Sequence, residues 1–83
     1  MTTYQVRLNF DERVSRGPRA ADVRRQLALH QPRLTRTDSG TEITLTVASR
    51  DLWLAVLIVM AAIKQLSYDP SSLTAIAVSE PGL

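Results

Sequence analysis

Asp11 and Glu12 are adjacent carboxylates. Such a pair shares a metal ion or a proton when both side chains point the same way. Neighbouring side chains in a loop usually diverge, so solvated loop charges are the expected reading here. The loop that follows carries Arg13, Arg16, Gly17 and Arg19 into an expected helix start. Helix N-termini with arginines and a glycine hold phosphate. One glycine, without the Walker spacing or Gly-x-Gly-x-x-Gly, is a weak form of that cradle. His30, the sole histidine, falls at the expected end of the same helix. There a cation interacts favourably with the last carbonyls. A catalytic histidine needs a base partner or a nucleophile beside it, and no motif supplies one. The chain has no cysteine, which excludes disulfides, thiolate nucleophiles and thiolate metal sites. One histidine excludes a multi-histidine metal centre. No cofactor, no metal and no enzymatic activity are expected.

Charge is unevenly placed. Residues 1–37 hold eight arginines against Asp11, Glu12 and Asp22, whereas residues 38–83 hold Arg50 and Lys64 against five carboxylates. The formal net charge is only +2, but this asymmetry gives the molecule a candidate basic side. Arg7, Arg16, Arg19, Arg24, Arg25, Arg33 and Arg36 are the candidate contacts to an anion or to nucleic acid. Such contacts would be to phosphate and sequence-independent.

These residues sit on a legible series of elements. Tyr4–Phe10 alternates apolar and polar residues, the period of a strand with one buried face. Asp11–Gly17 is a polar loop. Pro18–His30 reads as a helix, with Pro18 at the first position and Ala20, Val23 and Leu27 on one face. Asp22 is spaced to pair with Arg25 or Gln26 on the outer face. Gln31-Pro32 ends it, because proline disfavours helical geometry in the residue before it. Arg33–Thr37 is a short polar strand, Asp38-Ser39-Gly40 a turn, and Thr41–Ala48 alternates again with Ile43, Leu45 and Val47 inward. Ser49 is the expected N-cap of a second helix running to about Ser67, with Asp51 in its first turn. Tyr68–Ser72 is a turn, Leu73–Ser79 a short strand and Glu80–Leu83 a loose tail.

The order is strand, helix, strand, strand, helix, strand. Val6, Leu8 and Phe10 correspond to Ile43, Leu45 and Val47 at an offset of 37. Two strand–helix–strand units interlock into the ferredoxin-like split βαβ fold (βαββαβ), an α+β domain over 1–83. Its four-stranded antiparallel sheet carries both helices on one face. The open face is expected to show Gln5, Arg7, Asn9, Thr35, Thr44, Thr46, Ala75 and Ala77. No aromatic stands among them, which disfavours recognition of single strands by base stacking.

The second helix has an apolar surplus. At 100° per residue Leu52, Ala55, Val56, Val59, Ile63 and Leu66 form a stripe sufficient for the core. The opposite arc holds Trp53, Leu54, Leu57, Ile58, Met60 and Ala61. A helix apolar all round is normally buried all round, and a two-layer domain has no third layer. Burying Trp53, Leu54, Leu57 and Met60 is worth roughly 6–12 kcal/mol as an upper bound. That is comparable to the whole stability of a small domain, about 5–15 kcal/mol. Either the first helix and loops curl over this arc, or a partner does.

The expectation is therefore a small protein-interaction module, an adaptor, inhibitor or regulator. It binds a protein partner or itself as a homodimer through Trp53, Leu54, Leu57, Met60 and Ala61, with Trp53 as anchor. The alternative is a nucleic-acid-binding regulator using the arginine-rich half. The apolar run Leu52–Ile63 spans only ~18 Å as a helix, against the ~30 Å of a bilayer core. With no signal-peptide pattern at the N-terminus, a cytoplasmic location and no membrane insertion are expected.

Overall fold

Strict alternation makes Thr2–Asp11 a ten-residue strand, β1. It pairs antiparallel with β3, Gly40–Ser49, from Thr2 opposite Ser49 to Asp11 opposite Gly40. This register sets Tyr4, Val6, Leu8 and Phe10 beside Val47, Leu45, Ile43 and Thr41 on one face. β4, Ser72–Ala77, pairs with the other side of β1, and β2, Arg33–Arg36, with the other side of β3. The result, a computed structural model that describes residues 2–13, 16–66 and 68–78, is an α+β fold. Its four-stranded antiparallel open sheet has the order β2-β3-β1-β4.

Two helices cover the sheet. α1, Ala20–Gln26, is followed by a 3₁₀ turn at Ala28–His30, and α2 spans Leu52–Lys64. Val23 and Leu27 from the first segment and Ala55, Val59 and Ile63 from α2 join one cluster with the inward residues of β1 and β3. The outward face carries Gln5, Arg7, Asn9, Glu42, Thr44 and Thr46.

Several boundaries and facings differ from the sequence reading, each for a local reason. α1 begins at Ala20 rather than Pro18. Arg19 holds extended backbone at the cap and offers no side-chain hydrogen bond, so the helix starts late and Ala20 is exposed. It also ends earlier than expected, at Gln26, and a separate 3₁₀ turn over Ala28–His30 carries the chain to Gln31, whose φ of 50° precedes Pro32. The cap of α2 is Asp51, not Ser49: an Asp51 Oδ1 accepts from Leu54 N at 2.8 Å. Ser49 is instead the buried last residue of β3, and its hydroxyl donates to the Asp51 carbonyl at 2.9 Å.

β4 presents the opposite facing from that expected. Ala75 and Ala77 lie opposite Val6 and Tyr4, on the core side, while Thr74 and Ile76 share the open face with Arg7 and Gln5. The run Leu73–Val78 alternates too weakly to mark its own inner face, and a one-residue change of register flips every side chain. Ser79 and the tail Glu80–Leu83, like Val14, Ser15 and Ser67 of the expected loop and helix end, lie outside the described residues.

The β2–β3 connection depends on a close approach. Thr37 and Gly40 close it, Thr37 N donating to Gly40 O at 2.8 Å and Gly40 N to Thr37 Oγ1 at 3.0 Å. Glu12 N donates to Ser39 O at 2.8 Å, which ties the end of β1 to this turn. A Cβ at position 40 would collide with the Phe10 carbonyl and lie 2.8 Å from Glu12 N. Both obstacles are backbone, so neither can rotate away.

Gly40→Ala is therefore expected to cost about 2–4 kcal/mol in urea unfolding; a loss under about 0.5 kcal/mol would contradict the close approach. Asp51→Ala removes the α2 cap and is expected to cost about 1 kcal/mol, with Asp51→Ser recovering most of it in the same measurement.

Candidate functional site

The adjacent carboxylates point apart. Asp11 receives Arg13 through Nε at 3.1 Å, Nη2 at 3.0 Å and the Arg13 backbone N–H at 3.0 Å. Those hydrogen bonds, with the guanidinium charge, hold the Asp11 carboxyl below the usual carboxylate range and raise Arg13. Glu12 turns the other way, to Arg36 Nη1 at 3.1 Å and the Thr41 hydroxyl at 3.4 Å. Its carboxylate occupies the space beside Gly17, where an added Cβ would strike it. A carboxylate thus fills the spot where a phosphate cradle would need room. His30 ends the 3₁₀ turn, its backbone N–H on Leu27 O at 2.9 Å. Among the described residues no three His, Cys, Asp or Glu side chains gather in metal-ligand arrangement.

The seven arginines do not form one surface. Arg7 and Arg33 share the open face of the sheet, where Arg7 Nε pairs with Glu42 at 3.1 Å. Arg36 faces the core side of the sheet beside Thr41, by its register. Arg24 and Arg25 lie on α1, with Arg25 paired to Asp22 at 3.0 Å. Arg16 and Arg19 are exposed in the segment before α1. Carboxylates are interleaved with the arginines on both faces. A stripe that tracks a phosphate backbone needs the opposite arrangement.

The apolar arc of α2 does form one surface. Trp53 is 71% exposed, Leu57 50%, Met60 44% and Leu54 40%, with Ala61 exposed beside them. These five expected residues are brought together along one side of a 13-residue helix. Ile58, expected on the same arc, instead packs partly against the core. Leu52, expected in the core, is 44% exposed. It is the first helical residue, and Cα–Cβ bonds tilt toward the helix N-terminus. Neither α1 nor the described loops cover this arc.

At the C-terminal end the surface deepens into a groove of about 530 Å³ lined by Leu57, Met60, Ala61 and Lys64 with Tyr68, Asp69 and Pro70. Lys64 and Asp69 bring its only formal charges among these lining residues. The sequence reading missed the contribution of Tyr68–Pro70. Only the return of the chain toward β4 places that segment beside α2.

The Asp11–Arg13 contact has a measurable signature. A carboxyl depressed in the folded state stabilises above its unfolded value of about 3.9, and that contribution is lost as pH falls through the folded value. NMR titration of Arg13→Ala is expected to return the Asp11 carboxyl toward the usual range and to weaken the acid dependence of stability below about pH 4. An unmoved Asp11 titration would contradict the contact. In comparisons with protein-family models, with curated proteins and with solved structures, nothing matches this chain.

Proposed function

We propose that this chain is a small, non-enzymatic, cytoplasmic interaction module that binds a protein partner or its own copy through the outer face of α2. The observation that carries the reading is the exposure of Trp53, Leu54, Leu57 and Met60 along one side of α2. Isolated exposed apolar residues need no explanation, whereas a contiguous patch of large ones marks an interaction site. Trp53 has the shape and exposure of an interface anchor. The groove beside Lys64 adds a concave end into which a partner's apolar side chain fits.

The architecture we assign is the ferredoxin-like split βαβ. The order β2-β3-β1-β4, with α1 between β1 and β2 and α2 between β3 and β4, supports two interlocked halves around a central β1–β3 pair. In such a two-layer arrangement the outer side of each helix is solvent-facing by construction. No helix among the described residues is long and apolar enough to cross a membrane. The apolar face of α2 is thus read as meeting protein. Nucleic-acid binding is the weaker reading, because the seven candidate arginines are dispersed and three of them, Arg7, Arg25 and Arg36, are engaged by carboxylates.

Leu57→Asp places a charge at the centre of the face without touching the core. Affinity capture is run from host extract and against the purified chain, with wild type, Leu57→Asp and a control, Arg24→Asp. The wild type and control are expected to retain the same protein or a second copy, and Leu57→Asp to lose it by at least about tenfold. Equal capture by all three, or a monomer that captures nothing, would overturn the reading.

A further inference from the structure

The exposed arc of α2 is laid out around its middle residue, Leu57. A helix turns ~100° and rises ~1.5 Å per residue. Trp53 therefore stands about 40° to one side of Leu57 and ~6 Å toward the helix start. Met60 stands about 60° to the same side and ~4.5 Å toward the helix end. Leu54 and Ala61 repeat these heights on the other side of Leu57. A two-fold axis that sets two such helices face to face and antiparallel keeps the side and reverses the height. Leu57 then meets Leu57, Trp53 of each copy comes to Met60 of the other, and Leu54 comes to Ala61.

The groove lies where this pairing needs it. Its walls include Met60, Ile63 and Lys64 of α2 with Tyr68 and Pro70. Helical spacing puts Met60, Ile63 and Lys64 on the Trp53 side of Leu57. Trp53, 71% exposed at one end of the arc, thus has a concave site of about 530 Å³ at the other end. A two-fold interface requires such a knob and hole on one surface, on opposite sides of the axis.

Charge and area agree with this pairing. No residue from Leu52 to Ile63 is charged, so the centre encloses no charge. Each end gathers the exposed Lys64 and Asp69 of one copy with the exposed Arg50 and Asp51 of the other. That is two charges of each sign, and the antiparallel alignment opposes the two helix dipoles. With full side-chain areas of ~180–250 Å², the exposed parts of Trp53, Leu54, Leu57 and Met60 sum to roughly 400 Å². Ala61, Lys64 and the Tyr68–Pro70 wall bring this near the ~600 Å² per partner of a small specific interface. An interface of that size holds a dimer in exchange with its monomer.

We propose that α2 is the contact surface of a two-fold homodimer, packed antiparallel about Leu57, in which each Trp53 enters the groove of the other copy. The proposal rests on the reading of α2 as an interaction face and names its occupant as a second copy.

Trp53 is the sole tryptophan and the chain has no cysteine, so emission and cross-linking each report one position. Sedimentation equilibrium of the full chain is expected to rise from 9.2 kDa toward twice that mass between about 1 μM and 1 mM. The Trp53 emission is expected to move to shorter wavelength along the same curve. Trp53→Ala is expected to raise the dissociation constant at least about tenfold, and Arg24→Asp on α1 to leave it unchanged, with circular dichroism confirming that both fold. Under oxidation Leu57→Cys is expected to form a linked dimer at least about tenfold faster than Lys64→Cys, whose two copies stand ~21 Å apart along the antiparallel helices. Lys64→Cys linking as fast as Leu57→Cys, or full affinity in Trp53→Ala, overturns the arrangement. A wild type that stays at 9.2 kDa to about 1 mM overturns self-pairing altogether, while the loss of partner capture in Leu57→Asp scores the α2 reading separately.

Discussion

The ten-residue antiparallel ladder between β1 and β3 is the constraint on which the molecule depends. It is the longest pairing in the sheet, and it sets Val6 and Leu8 beside Leu45 and Ile43, all four fully buried. Because side chains alternate across a strand, this one register decides which face becomes core and which stays polar. β2 and β4 then add to its two flanks, and both helices pack on the face it makes apolar. Its far end is closed by the approach of Gly40 to the Phe10 and Glu12 backbones, so the β2–β3 turn and the end of β1 are held as a unit.

A sheet apolar on one side needs only one layer of helices, and from this the character of α2 follows. Ala55, Val59 and Ile63 satisfy the sheet. Trp53, Leu54, Leu57 and Met60 on the far side are then surplus to the core, and each remains 40–71% exposed. Sequence economy alone would place polar residues there. Trp53, Leu54, Leu57 and Met60 stand there instead, which is the physical basis for assigning them a partner.

The charged residues act locally. Asp11 with Arg13, Glu12 with Arg36, Asp22 with Arg25 and Arg7 with Glu42 form four pairs spread over the loop, the edge, α1 and the open face. Exposed pairs of this kind contribute little each, about 0–1 kcal/mol. They engage four of the eight arginines of residues 1–37. The 3-residue spacing of Asp22 and Arg25 was readable, since a helix fixes which neighbours meet. The partners of Glu12 and Arg7 were not, because strand pairing brings them from 24 and 35 residues away.

What the sequence determined by itself were the elements whose period is strong. The alternation of Tyr4–Phe10 and Thr41–Ala48, the glycine turn between β2 and β3 and the all-round apolar character of Leu52–Ile63 each follow from local chemistry. Five of the exposed α2 residues were legible for the same reason: helical geometry is set within a few residues. Tertiary structure decided the rest. It set the facing of Ala75 and Ile76, because the Leu73–Val78 run alternates too weakly to name its inner side. It chose Asp51 over Ser49 as cap, because the β1–β3 ladder extends far enough to claim Ser49 for the sheet. Among the described residues it also gave β4 a single strand neighbour, since whether a strand has one neighbour or two depends on the order of pairing and not on the strand.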